Sequence, residues 1–287
     1  MSIPPTPFTP DLWVAQSDYF LTNSGIFLSE GQALLIDPCL RRGEIDAIAA
    51  FVRARGAAPR WLVLTHSHWD HVLGPERFPG VRTIAQARYP DVVRRDGAAI
   101  AAQVVKWEAE AGQTRAGGFS VPLPDETFET EHTLALGRLA LRLLHVPGHA
   151  PDQLAVYEPV RGCLWSSDIL SDVEIPFVSD NLAAFERTLA ALDAYDLRLL
   201  VPGHGHPSAD PAEIQTRLAD DRAYLAELRE RVARSIERGQ TLDRALAACA
   251  DMRFRLPAEN AEPHRLNVES VYWELGGPVD RSQTGWQ

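Results

Sequence analysis

Three cysteines in 287 residues, Cys39, Cys163 and Cys249, are too few and too scattered for the usual structural uses of sulfur. Their odd number excludes a disulfide framework, and the lack of any C-x-x-C pair excludes a thiolate zinc site. The proline-rich start has neither a basic nor an apolar segment, so no secretory leader is expected. No apolar run approaches the roughly 20 residues that span a bilayer. A cytoplasmic protein without membrane attachment is the resulting expectation. Positive charge is also short: 28 basic against 39 acidic residues leave a net charge of −11, which argues against a polyanionic partner such as nucleic acid. What is present is apolar substance. Hydrophobic residues make up 45% of the chain, enough for a core in one large domain or one domain with an appendage.

The patterning gives strands first: 12–15, 19–28 and 33–36, with a hairpin turn at Glu30, Gly31 and Gln32. A helix over 44–55 follows, its stripe made by Ile45, Ile48, Ala49 and Val52 and its stop by Gly56. Next come a buried strand over 60–65, a short strand over 81–86, and a helical stretch over 88–111 in which Gly97 is expected to make a break. The second half repeats the style, with strands at 127–136, 139–146, 153–157 and 163–165, an amphipathic helix over 181–195 and a strand over 197–201. Two halves of this form predict two packed sheets with helices outside both. From Pro211 the chain turns helical, with Ile214, Leu218, Leu225, Leu228, Val232 and Ile236 on one stripe. Residues 1–210 therefore read as the main domain and 211–287 as a C-terminal helical extension.

The chemistry is concentrated directly after the strand over 60–65. His66, His68, Asp70 and His71 fall within six positions. One histidine at a strand exit is an ordinary polar residue. Three imidazoles with a carboxylate would repel one another if protonated, and together they suit a transition metal, with zinc, manganese or iron ahead of calcium or magnesium. Three more spots stand at strand ends: His149 after Pro147-Gly148, Asp168 after Ser166-Ser167, and His204 after Pro202-Gly203. In the two Pro-Gly-His tripeptides Pro ends the strand, Gly permits a tight turn, and the imidazole is held beside a rigid bend. Singly, each could serve a turn or a helix cap. All three following the first cluster point to one site.

In the order H-x-H-x-D-H, His, Asp, His, the chain resembles the metallo-β-lactamase-fold hydrolase superfamily over roughly residues 10 to 210. The resemblance implies an α/β fold, an αββα four-layer sandwich with the metals at one edge between the sheets. It implies two divalent metal ions, zinc first, with iron or manganese as alternatives. His66, His68 and His149 would bind the first and Asp70, His71 and His204 the second, with Asp168 bridging. Asp37, at a strand end, would support the metal loop. The implied reaction is hydrolysis by a water shared between the metals, with Asp70 orienting it and carrying a proton.

Asp168 points away from true β-lactamases and toward the glyoxalase II, lactonase and nuclease branches. Ser171 and Asp172 stand where similar lactonases place a tyrosine, and the basic glutathione-binding segment of glyoxalase II is not recognisable. The expected substrate is a small ester, thioester or lactone. A nuclease would need a basic track that Arg41-Arg42 and Arg94-Arg95 do not supply. An enzyme like persulfide dioxygenases would use a single iron. A non-catalytic relative would have lost ligands, and here all seven are present. Trp69, Trp107, Phe119 and Phe177 are candidate pocket residues; His132, His145, His206 and His264 are read as structural. A homodimer is an open expectation.

Overall fold

Strands of the N-terminal half pair in the order in which they occur, as short connections favour. They are β1 (Thr6–Pro7), β2 (Leu12–Gln16), β3 (Asn23–Ser29), β4 (Gln32–Ile36), β5 (Ala58–Val63), β6 (Arg82–Gln86) and β7 (Glu126–Phe128). This computed structural model describes residues 4–278 apart from 39, 114 and 116. Pairing is antiparallel from β1 to β4, where hairpins suffice, and parallel from β4 to β7. Two of the parallel connections carry helices α1 (Arg42–Ala54) and α2 (Tyr89–Glu110). A second sheet follows the order β12-β11-β10-β9-β8. Its members are β8 (Glu131–Leu136), β9 (Leu139–His145), β10 (Leu154–Glu158), β11 (Cys163–Ser167) and β12 (Leu199–Pro202), with α3 (Leu182–Ala191) between the last two.

The layers follow from which faces are apolar. Leu12, Val14, Phe27, Leu34 and Ile36 of the first sheet meet Leu141, Leu143, Leu154, Val156 and Trp165 of the second. The opposite face of the first sheet packs Ala33, Leu35 and Leu62 against Ile45, Ile48 and Val52 of α1 and Ile100 and Val104 of α2. The outer face of the second sheet packs Ala155, Leu164 and Leu200 against Leu182, Phe185 and Leu189 of α3. The expected αββα sandwich is therefore present. The helices α4 (Pro211–Glu237), α5 (Leu242–Cys249) and α6 (Ala261–Glu274) add Ile214, Leu218, Leu225, Val268 and Val271 to that same outer core.

Three sequence expectations need correction. Gly97 does not break α2: a glycine in a helix costs only about 1 kcal/mol, and burial of Tyr89, Val92, Ile100 and Val104 on one face outweighs it. The stretch 127–136 is two strands in different sheets, β7 and β8. The stretch 19–28 becomes strand only at Asn23, because Phe20 and Leu21 hold left-handed backbone at φ 57° and 48°. Cys163 and Cys249 are buried free thiols; Cys39 lies outside the described residues. Among the described residues no helix is long and apolar enough to cross a membrane.

Candidate metal centre

Four strands deliver the site residues to one edge of the sandwich. The loop after β5 carries His66, His68, Asp70 and His71; His149 follows β9, Asp168 follows β11, and His204 follows β12. Strands β9, β11 and β12 run in one direction, so their ends share an edge. Backbone bonds stitch the two sheets together there. Leu154 N donates to Thr65 O at 2.8 Å, and Asn23 N donates to Gly203 O at 2.7 Å. Side chains placed on such a frame are held by the sheets and not by a free loop.

The seven residues form two adjoining groups: His66, His68, His149 and Asp168, and Asp70, His71 and His204, with the donor atoms of each group within 4.8 Å of one another. Asp168 lies between them. Its Oδ2 is 3.5 Å from His66 Nε2 and 3.4 Å from His149 Nε2 on one side. On the other it is 3.4 Å from His71 Nε2 and 3.6 Å from His204 Nε2. Asp70 Oδ2 is 3.1 Å from His204 Nε2.

The partners on the far sides of the rings decide which nitrogen faces inward. His149 Nδ1 lies 3.0 Å from the Phe177 carbonyl, and His204 Nδ1 lies 3.0 Å from the Phe20 carbonyl. A carbonyl only accepts, so both Nδ1 atoms carry hydrogen and a neutral ring turns a bare Nε2 to the centre. His71 Nδ1 is 2.9 Å from Asp37 Oδ2. At His66 the hydroxyls settle the matter. Thr65 Oγ1 donates to Asp37 Oδ2 at 2.5 Å and Ser167 Oγ donates to Thr65 Oγ1 at 3.0 Å. With both hydroxyl protons committed, His66 Nδ1 must donate to Thr65, 3.1 Å away. Asp37, expected as a support, thus fixes two of the rings. His68 Nδ1 donates to His149 Nε2 at 2.9 Å; a cation between these rings would displace that proton.

Burial and charge divide the two groups. Burial, with neighbouring rings of the cluster adding to it and Asp168 opposing it, pushes His66 well below its usual range, His68 to about 3, and His149 downward. Burial thus favours the neutral form of all three rings. In the other group burial acts against His204, but Glu174, Asp168 and Asp70 overcome it and lift the ring to about 10. His71 is raised well above its usual range against its own burial by Asp168, Asp70 and Asp37. Burial would raise Asp70, yet His71 and His204 hold it at about 2. The carboxylates therefore demand positive charge at the centre.

These residues fit a pair of divalent ions. His66 Nε2, His71 Nε2 and Asp168 Oδ1 are buried without a hydrogen-bond partner among the described residues, a costly arrangement unless something else engages them. The donor set of imidazole and carboxylate suits zinc, iron or manganese.

The glycines of the two tripeptides are required for different reasons. Gly148 holds φ +132°, and a Cβ there would lie 2.3 Å from Phe185 Cα in α3. A Cβ on Gly203 would lie 2.1 Å from Asp168 Oδ1. The backbone approaches the Asp168 carboxylate as closely as a missing side chain permits.

Of the candidate pocket residues, Trp69 and Trp107 stack at 5.4 Å. Phe177 stands 5.9 Å from His149, whereas Phe119 is buried core. Phe20 joins them and was not foreseen: it is 43% exposed and sits edge-on to Trp69 at 6.0 Å and Trp107 at 5.4 Å. His206 turns away to Asp172 at 2.8 Å. His145 bonds the Pro151 carbonyl at 2.9 Å, His132 lies near Phe128, and His264 is buried beneath α4.

A family model described as the metallo-beta-lactamase superfamily matches residues 18–204. The chain is 36% identical over 121 residues to a hydroxyacylglutathione hydrolase of Anaeromyxobacter dehalogenans (strain 2CP-C), covering 42% of this chain and 36% of that protein. It is 23% identical over 281 residues to a linear primary-alkylsulfatase of Pseudomonas sp. (strain ATCC 19151), covering 81% of this chain and 52% of that protein. It is 28% identical over 166 residues to an acyl-coenzyme A thioesterase of Gallus gallus, covering 52% and 58%. The chain thus spans between about a third and three fifths of these relatives' lengths. A solved metallo-beta-lactamase family protein of Thermus thermophilus superposes with a TM-score of 0.69 at 21% identity, covering 94% of this chain and 95% of that one. That likeness concerns the fold.

Proposed function

Because the chain belongs to the metallo-beta-lactamase superfamily, we propose that it is a metal-dependent hydrolase of a small ester or thioester with an apolar acyl group. The observation that carries this reading is the position of Asp168 Oδ2, 3.4–3.6 Å from imidazole nitrogens of both groups. One carboxylate oxygen shared in this way suits a two-ion centre. His66, His68 and His149 would hold one ion, Asp70, His71 and His204 the other, and Asp168 both. Ions held there supply Lewis acidity to an acyl oxygen and lower the pKa of water near neutrality.

The chain's own residues do the remaining work. Asp70, held as a carboxylate by His71 and His204, accepts a hydrogen bond from an attacking water and then carries its proton to the leaving group. Asp37, Phe177 and Phe20 keep the ring nitrogens oriented. Phe20, Trp69 and Trp107 form an aromatic wall beside the metal loop. An exposed phenylalanine set edge-on to two stacked tryptophans suits the apolar part of a substrate. The likeness to an acyl-coenzyme A thioesterase supports thioesters, and the likeness to an alkylsulfatase brings alkyl sulfates into the range to be tested.

The test is a panel of acyl thioesters, aryl and alkyl esters, lactones, alkyl sulfates and phosphodiesters. The expected result is the highest kcat/KM for an ester or thioester, rising with acyl length. Cleavage of phosphodiesters alone, or oxygen uptake with a single iron, contradicts the reading.

A further inference from the structure

Between Asp168 and α3 the chain runs from residue 168 to 181, and α4, α6 and the residues just before α6 grip that segment along its length. Asp221 of α4 accepts from Leu170 N at 3.2 Å. Arg255 donates to the Ser171 carbonyl. Asn260 accepts from Ile175 N at 3.3 Å and donates to Val173 O at 2.8 Å. Asn267 of α6 donates to Pro176 O at 2.7 Å and accepts from Val178 N at 2.7 Å. Glu274 accepts from Leu182 N at 2.7 Å at the start of α3.

We propose that Asn267 is a positioning residue that sets the Phe177 carbonyl and, through it, the ring nitrogen His149 offers to the metal centre. Phe177 lies between the two backbone groups that Asn267 holds, and its carbonyl accepts from His149 Nδ1 at 3.0 Å. The direction of every proton in this chain of bonds is fixed. His264 Nε2 lies 3.0 Å from the Cys249 carbonyl and must donate to it. His264 Nδ1 is then an acceptor, so Tyr224 Oη donates to it across 2.9 Å. The phenol oxygen is left to accept from Asn267 Nδ2 at 2.9 Å. That orients the Asn267 amide with its NH₂ toward Pro176 and its oxygen toward Val178, as the bracket requires. Asn267 is fully buried, with Tyr224 and His264 nearly so. The flipped amide would set its NH₂ against the Val178 N–H and its oxygen against the Pro176 carbonyl, so this orientation is the satisfied one. The helices after residue 210 thereby reach the site without supplying a ligand to it.

This inference rests on the cluster being a metal centre, and the experiment separates the two. Full-length protein, stripped of metal, is titrated with Zn²⁺ against a competing chelator, for the wild type, Asn267→Ala and the isosteric Asn267→Asp. The wild type should bind two ions. In the variants one of the two ions should bind about ten- to a hundredfold more weakly, the range seen when an outer partner of a ligand is lost, and the other should be unchanged. Two-dimensional ¹H–¹⁵N spectra of the histidine rings should show His149 losing its Nδ1–H preference. A wild type that binds no metal overturns the metal-centre reading itself. Variants that fold and bind both ions as the wild type does overturn the role of Asn267. So does failure of both variants to fold, since the side chain would then hold the fold and not the site.

Discussion

Asp37 Oδ2 lies 2.9 Å from His71 Nδ1, and the same oxygen accepts the Thr65 hydroxyl at 2.5 Å. A single carboxylate thus orients rings from both groups, His71 directly and His66 through Thr65. It also ends β4, next to the strand that feeds the metal loop. Asp37→Asn keeps the shape but trades one acceptor for an NH₂, so it cannot serve both the Thr65 N–H that donates to Oδ1 at 2.9 Å and the two donors on Oδ2. Metal affinity at the group holding His71 is expected to fall about ten- to a hundredfold, as read by zinc titration, with a smaller loss at the other group.

Gly203→Ala is expected to cost more than its size suggests. The added Cβ would stand 2.1 Å from Asp168 Oδ1 and 3.1 Å from the Ser167 carbonyl carbon, so the carboxylate or the strand end must shift. Displacements near 1 Å at a reacting centre cost on the order of a hundredfold in rate, so kcat should fall at least that far. Gly43→Ala, where nothing lies within 4 Å, is the control and should leave kcat unchanged.

The ligand cluster was legible because its chemistry is local in sequence. Four metal-binding side chains within six positions need no folding to be noticed, and the two Pro-Gly-His turns advertise their own geometry. The layers of the sandwich were legible from the order of strands, helix and strand repeated in the two halves. Phe20 was not, because an aromatic beside Tyr19 and Leu21 resembles the start of a strand, and neither its left-handed backbone nor the bond from His204 to its carbonyl leaves a mark in the sequence. Asn267 was less legible still. Its partner Val178 is 89 residues away, and an asparagine inside a helix carries no pattern that names a distant backbone group.

Phe20→Gly separates binding from folding. Glycine adopts φ 57° without the steric cost that a Cβ brings, of order 1–3 kcal/mol for a strained residue. The thermal midpoint should therefore hold or rise, while KM for long-chain acyl substrates rises about tenfold with the aromatic wall breached. An unchanged KM would remove Phe20 from the substrate site.

Zinc uptake should release protons at neutral pH. Asp70, Asp168 and their other carboxylate neighbours favour the protonated forms of His71 and His204, raising His204 to about 10, and an ion would displace those protons. Calorimetry in buffers of different ionisation enthalpy should show net proton release at the group containing them. Affinity should weaken as pH falls. Uptake with no proton exchange would contradict protonated rings there.

Asp221 gives a pH dependence of stability away from the ligands. Burial, offset in part by Arg255, lifts it from 3.8 to about 7. Below about 4 both folded and unfolded chains hold the proton; between there and about 7 only the folded chain does. Its contribution is therefore fully present at low pH, declines as pH rises through this window, and levels off above it. Denaturant midpoints of Asp221→Asn should lack that part of the slope when compared with the wild type at matched pH.

The most direct test of the central claim is metal analysis of the purified protein together with its hydrolytic rate before and after chelation and zinc return. A two-ion hydrolytic centre requires about two ions per chain, loss of hydrolysis on their removal, recovery on their return, and no recovery in His68→Ala. Undiminished hydrolysis by the stripped protein, or by His68→Ala, would contradict it.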